Sequence, residues 1–128
     1  MLKSIHHIAI ICSDIEVSKR FYTEILGLEI IREVYREERQ SWKVDLALNG
    51  NYVIELFSFP DSPQRVSRPE ALGLRHIAFG VEKLDSMARI LESKGISSEP
   101  IRIDEYTGKR FIFIEDPDRL PIELYDIG

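Results

Sequence analysis

One pattern of strand residues occurs twice in this chain. An apolar run opening His7-Ile8-Ala9-Ile10 returns as His76-Ile77-Ala78-Phe79, and a later run, Val53-Ile54-Glu55-Leu56, returns as Pro121-Ile122-Glu123-Leu124. Glu55 stands 48 residues after His7, and Glu123 stands 47 after His76. A doubled unit of about 60 residues is too long for a solenoid repeat and implies two copies of one module. Whatever the first copy folds into, the second must also accommodate one histidine and one glutamate at matching places.

Between these landmarks the apolar period changes from two to helical and back, in the same order each time. Residues 5–12 read as a strand. Ser13-Asp14-Ile15-Glu16 fits a capping box with Ser13 as the cap. Val17, Phe21, Ile25 and Leu28 follow at helical spacing, and Gly27 suits a left-handed terminator. Residues 28–35, 42–48 and 51–59 read as strands, the last two joined by the hairpin signal Asn49-Gly50. Residues 60–73, with Pro60, Pro63 and Pro69, read as a linker. The order then restarts with a strand over 75–81 and a helix over 82–94 bearing Leu84, Met87, Ala88 and Leu91 on one face. Strands over 101–103, 110–115 and 121–125 complete it, with Asp116-Pro117-Asp118 as a turn. The expected fold is α+β: two tandem βαβββ modules, residues 1–59 and 74–128, forming one domain whose curved sheet surrounds a groove.

Strand alternation places the His and Glu residues. Neighbouring side chains face opposite ways, so Ile8 and Ile10 lie opposite His7, and Ile54 and Leu56 opposite Glu55. Ile77 and Phe79 lie opposite His76, and Ile122 and Leu124 opposite Glu123. Each apolar face can pack on a helix, which leaves His7, Glu55, His76 and Glu123 together on the other. A buried carboxylate needs a cation, hydrogen bonds or water. Two imidazoles and two carboxylates suit a divalent ion and neutralise it, with Zn, Ni, Mn, Co and Fe all chemically compatible. His6 has the opposite parity and reads as a surface or core-edge residue. Cys12 shares its parity with Ile10 and reads as a packing residue.

Composition narrows the partners. The formal charge of −5 argues against nucleic acid, and no apolar run approaches the roughly 18 residues of a membrane span. The chain enters a strand directly after Met1, with no signal-peptide pattern, and it has a single cysteine. A reducing cytoplasm is the expected location.

Several motifs in sequence order resemble the vicinal oxygen chelate superfamily, and glyoxalase I-like proteins most closely. They are the His7-Ile8-Ala9-Ile10 strand, the Asp14-Ile15 helix start, Phe21-Tyr22-x-x-Ile25-Leu26-Gly27, Glu115-Asp116-Pro117-Asp118 and Ile122-Glu123-Leu124. The resemblance spans essentially the whole chain. It implies paired βαβββ modules around a metal, with the ligand order His7, Glu55, His76, Glu123. It also implies a homodimer, in which a groove is built from two modules of one chain or one from each of two chains. The implied activity is that of a lactoylglutathione lyase-like lyase or isomerase. A C–H proton beside a carbonyl of a hemithioacetal or α-hydroxycarbonyl is removed and returned to the neighbouring carbon through an enediolate. Glu123 is the first choice of base and Glu55 the second. Methylglyoxal with glutathione is the implied substrate pair. The alternatives are a metal-dependent epimerase or dioxygenase of the same superfamily, or a protein that sequesters a small molecule without turnover.

The sequence departs from the family at three places. Glyoxalase I-like enzymes commonly carry Arg four residues after the first ligand histidine and Asn four after the first ligand glutamate, both helping to hold glutathione. Ile11 and Phe59 occupy those positions here. Arg119 stands where the motif usually has Gly. Other residues can supply substrate contacts. Tyr35, Arg36, Arg39, Trp42 and Lys43 form a basic-aromatic cluster, and Tyr106, Lys109 and Arg110 hold the comparable place in the second half. These either grip a carboxylate or phosphate or form solvated hairpins paired to Glu37, Glu38 and Glu105. Phe57, Phe59 and Tyr125 share the ligands' parity and are expected to wall the pocket.

Overall fold

Alternation of Ile10 and Cys12 with Ala9 and Ile11 produces the first strand, β1 (Ile8–Cys12), with the first pair buried and the second exposed. The chain then runs through α1 (Ile15–Arg20), a π-helical turn (Phe21–Ile25), β2 (Glu29–Arg36), a 3-10 turn (Glu37–Arg39), β3 (Ser41–Leu48) and β4 (Asn51–Ser58). No helix or strand forms between Ser58 and Ile77. The second series is β5 (Ile77–Val81), α2 (Leu84–Ser93), β6 (Arg102–Ile103), β7 (Arg110–Glu115) and β8 (Pro121–Asp126). This computed structural model describes residues 1–128 and divides into two units, Met1–Gln64 and Arg65–Gly128.

Each unit is βαβββ with a four-stranded mixed sheet. The strand order is β1-β4-β3-β2 in the first and β5-β8-β7-β6 in the second. The outer strand runs parallel to its neighbour and the rest are antiparallel. A parallel pair needs a long crossover, and the helix with two further strands provides it. In each unit the residue two after the histidine pairs with the glutamate: Ala9 with Glu55, Ala78 with Glu123. The repeat therefore extends from sequence to register. Ile54, Leu56, Val44 and Leu46 form the core of the first unit with Tyr22, Phe21 and Leu28. Ile122, Leu124, Ile112 and Ile114 form that of the second with Leu84 and Leu91.

Local chemistry corrects the expected start of the first helix. The cap is Asp14, not Ser13: its backbone is extended (φ −135°) and its carboxylate accepts from the N–H groups of Glu16 and Val17. That arrangement satisfies two of the helix's unpaired N-terminal donors. Beginning one residue later, and widening into the π turn, the helix turns Ile15, Ser18, Phe21 and Tyr22 inward. Val17, expected on the core face, is 40% exposed. The first strand also starts later than expected, so His7 lies just ahead of β1.

The turns follow their residues. Asn49 and Gly50 both have positive φ (50° and 81°), the condition for a type I′ hairpin. In the β7–β8 turn, buried Asp116 accepts from the backbone N–H of Asp118 and Leu120. That turn holds Arg119 at φ 69°, a left-handed conformation that costs a residue with a Cβ about 1 kcal/mol. The physical reason for a glycine in this motif is then plain. Arg119→Gly is expected to raise stability by about 0.5–1 kcal/mol in a denaturant titration.

Candidate functional site

In the first unit, His7 Nε2 lies 3.7 Å from Glu55 Oε1. In the second, His76 Nε2 lies 3.5 Å from Glu123 Oε1. The two glutamate side chains are 13% and 15% exposed, and the histidines 36% and 27%. Neither pair is hydrogen-bonded. Bonds of about 2.1 Å to one ion, at tetrahedral to octahedral angles, set two donors roughly 3.0–3.4 Å apart. Each pair is a few tenths of an ångström wider than that and presents an imidazole nitrogen and a carboxylate oxygen to the same point. His76 Nδ1 is buried with no hydrogen-bond partner, so Nε2 is that ring's working nitrogen. The donor set of each half, one imidazole nitrogen and one carboxylate oxygen, fits a divalent cation.

The surroundings of the two pairs differ sharply. Opposite Glu55 on the neighbouring strand is Asp45, whose side chain is fully buried. Its carboxylate accepts from Lys43 Nζ (2.8 and 2.9 Å), Arg32 Nη1 (2.9 Å) and the Tyr52 hydroxyl (2.8 Å). Burial pushes the Asp45 carboxyl upward, but the hydrogen bonds from Lys43 and Tyr52 and the charges of Lys43 and Arg32 outweigh it and hold it below the ordinary range. Tyr52 also donates to Glu55 Oε2 (2.9 Å), and Lys43 stands 3.3 Å from the same oxygen. Burial, reinforced by these two carboxylates, raises the Tyr52 phenol far above its usual value, so it remains a donor. Glu55 is therefore tied through one oxygen, with the other turned to His7. His7 is fixed in turn: its ring stacks on Tyr52 (4.9 Å) and its Nδ1 shares a 2.8 Å hydrogen bond with His6 Nδ1. A partner on the far nitrogen orients a metal-binding imidazole.

Glu123 has none of this. The position opposite it is Phe113, and no donor within its unit bonds its carboxylate. Its surroundings are aromatic: His76 meets Phe113 edge-on (5.2 Å), Phe111 stacks with Tyr125 (6.3 Å), and Arg102 lies over Phe111 (5.0 Å). The Tyr125 hydroxyl is bonded to Thr107 and to Asp104. One glutamate is held in a charged network, and its counterpart lies among rings with no hydrogen bond from a donor of its unit.

The proposed substrate contacts divide by face. Phe57 shares the face of Glu55, and Arg36 and Arg39 lie over the stacked rings of Phe57 and Phe59. Trp42 pairs in register with Tyr35 and has the parity of buried Val44 and Leu46, so it belongs to the opposite face. Arg110 shares the parity of buried Ile112 and pairs with Asp85 (2.9 Å) and Asp126 (3.6 Å). Its charge is committed on the helix-bearing side. Lys109 reaches only the carbonyl of Gly128, at 3.5 Å. Arg36 and Arg39 have no ion pair with Glu37 or Glu38. His6, Asp45, Tyr52 and Arg102 were not expected at the site. The Lys43-x-Asp45 alternation on the His/Glu parity was the signal for Asp45.

Comparison with known proteins follows the same outline. A model of the Glyoxalase/Bleomycin resistance protein/Dioxygenase superfamily matches residues 4–124. The Bacillus subtilis protein YwkD, itself uncharacterized, is 65% identical over 126 residues, covering 98% of each chain. The crystal structure of a glyoxalase family protein from Enterococcus faecalis superposes with a TM-score of 0.90 at 46% identity, over 97% of this chain and 98% of that one. A lactoylglutathione lyase of Schizosaccharomyces pombe is 27% identical over 94% of this chain and 46% of its own length. No helix is long and apolar enough to cross a membrane.

Proposed function

The chain belongs to the Glyoxalase/Bleomycin resistance protein/Dioxygenase superfamily, and from that premise we propose that it is a metal-dependent lyase or isomerase of the glyoxalase I type. His7, Glu55, His76 and Glu123 would hold one divalent ion, supplied either within a chain or across a dimer. The observation that carries this reading is the repeated pair: each unit sets an imidazole nitrogen 3.5–3.7 Å from a carboxylate oxygen, at the same register, without a hydrogen bond between them. The ion, when bound, supplies a Lewis acid for adjacent substrate oxygens.

The chain's own residues divide the remaining work. Glu55 is held in position by Tyr52 and Lys43. Glu123, with no donor in its unit, can turn toward the substrate, take a proton from the carbon beside the carbonyl and return it to the next carbon. The rings of Phe111, Phe113 and Tyr125 border Glu123 on its own unit. Hemithioacetals and α-hydroxycarbonyls are the substrate class. The lactoylglutathione lyase similarity favours the hemithioacetal of methylglyoxal, while Ile11 and Phe59 leave glutathione without its usual partners.

The test is deuterium incorporation at the α-carbon in deuterated water. Methylglyoxal with glutathione, methylglyoxal with a small non-peptide thiol, and dihydroxyacetone are the probes. Exchange that needs the metal-loaded protein is the expected result for at least one of them. A metal-filled protein that exchanges none would overturn the assignment.

A further inference from the structure

Beyond Glu55 on the same face of β4 is a cationic surface that no acidic group of the chain neutralises. Phe57 and Phe59 stack in parallel, with centroids 5.7 Å apart and an interplanar angle of 16°. Arg36 Cζ lies 4.8 Å from the centre of the Phe57 ring and 5.8 Å from that of Phe59, and Arg39 Cζ lies 4.8 Å from the centre of Phe59. Two guanidiniums thus rest on two rings, a geometry that fixes their planes and leaves their N–H edges available.

The donors on those edges are almost unused. A guanidinium carries five N–H groups. Arg36 spends one on Ser41 Oγ (3.1 Å), while its Nε is buried with no acceptor. Ser41 is itself fully buried and anchors that side chain. Arg39 stands in the 3-10 turn with no ion pair. Elsewhere in the chain Arg32 pairs with Asp45, Arg102 with Glu99 and Arg110 with Asp85, and Arg65 donates to the carbonyls of Leu74 and Arg75. Arg36 and Arg39 are thus two neighbouring guanidiniums, both seated on rings and neither with a carboxylate partner, on a chain of net charge −5. Leaving a charged donor buried and unsatisfied is costly.

We infer that Arg36 and Arg39, seated on Phe57 and Phe59, form a subsite for an oxyanion carried by the substrate, a carboxylate or a phosphate-like group. Two to four strand residues separate these rings from Glu55. At ~3.4 Å per residue that places the anionic group about 7–14 Å from Glu55. The substrate class is thereby narrowed to hydroxycarbonyl or thioacetal compounds with an acidic tail. This rests on the proton-transfer reading for what the substrate's other end does, but not for the binding of the anion.

The experiment follows the arginine Nε–Hε signals by NMR in the full-length protein during titration with inorganic phosphate, methylphosphonate and propanoate. Saturable shifts of the Arg36 and Arg39 signals, with Arg20 and Arg89 unmoved, are the expected result. Arg39→Gln, a change at an exposed turn that should not disturb folding, is expected to weaken the titration about tenfold. Saturation by phosphate and methylphosphonate alone identifies a phosphate-like tail, and saturation by propanoate alone a carboxylate. No saturable shift with any probe, equal drift of every arginine, or unchanged affinity in Arg39→Gln overturns the subsite. His76→Ala should leave the titration intact. In the metal-loaded parent, no proton exchange with the titration preserved would count against the proton-transfer reading only, and exchange with no titration against the subsite only.

Discussion

Glu123→Gln is expected to slow α-proton exchange by about 10²- to 10⁴-fold, the usual worth of a positioned general base. Glutamine keeps the size and the coordinating oxygen of glutamate but cannot take up a proton. Glu55→Gln, compared per bound ion, is expected to stay within about tenfold of the parent, because proton transfer is not its main task. The asymmetry comes from surroundings, since the two residues sit at equivalent register. Glu55 Oε2 accepts from the Tyr52 hydroxyl and lies beside Lys43, and both interactions hold that oxygen in place. Glu123 faces Phe113 across the ladder and has no such tether. Exchange rates normalised to metal content decide between them. A deeper loss in Glu55→Gln than in Glu123→Gln would reverse the roles.

Asp45→Ala is expected to lower stability by about 3 kcal/mol, the cost of removing one member of a buried ionic cluster. Its carboxylate is fully buried and bonded to Lys43, Arg32 and Tyr52. The loss leaves Lys43 with only Glu55 and removes one of the two carboxylates that share the Tyr52 hydroxyl hydrogen. The pH dependence has a definite sign. Asp45 ionises more readily folded than unfolded, so its contribution is fully present above the ordinary value of 3.8 and is lost as pH falls through the lower folded value. Denaturant midpoints measured downward from neutral pH should fall more steeply in the parent than in Asp45→Ala at the acid end. Equal stability of the two, with parallel acid limbs, would show that the cluster contributes nothing.

Strand alternation made much of this protein readable from its residues. Ile54 and Leu56 against Glu55, and Ile122 and Leu124 against Glu123, could be assigned to opposite faces because a period of two allows no other arrangement. The same rule, applied to Trp42 and Arg110, would have placed them with Val44 and Ile112. Grouping them by sequence neighbourhood, as basic-aromatic clusters, sets that alternation aside. The helix start was ambiguous because Ser13 and Asp14 are both good caps, and only backbone geometry distinguishes them. The phase of the helix then depended on a π turn, which leaves no clear periodic signal. Asp45 was hidden for a different reason. A carboxylate beside a lysine reads as solvated surface until Tyr52, across the hairpin, and Arg32, on the next strand, are seen to cover it. The guanidinium–ring stacking of Arg36 and Arg39 likewise depends on where the 3-10 turn lies over β4.

The most direct test is the metal content of the purified chain beside His7→Ala, Glu55→Ala, His76→Ala and Glu123→Ala, measured after loosely held ions are removed. One ion for each set of four ligands, strongly depleted in every variant whichever unit carries the change, is the predicted result. Retention of the parental metal content by both variants of one unit would contradict it, because the ion would then be held by the other unit's pair alone.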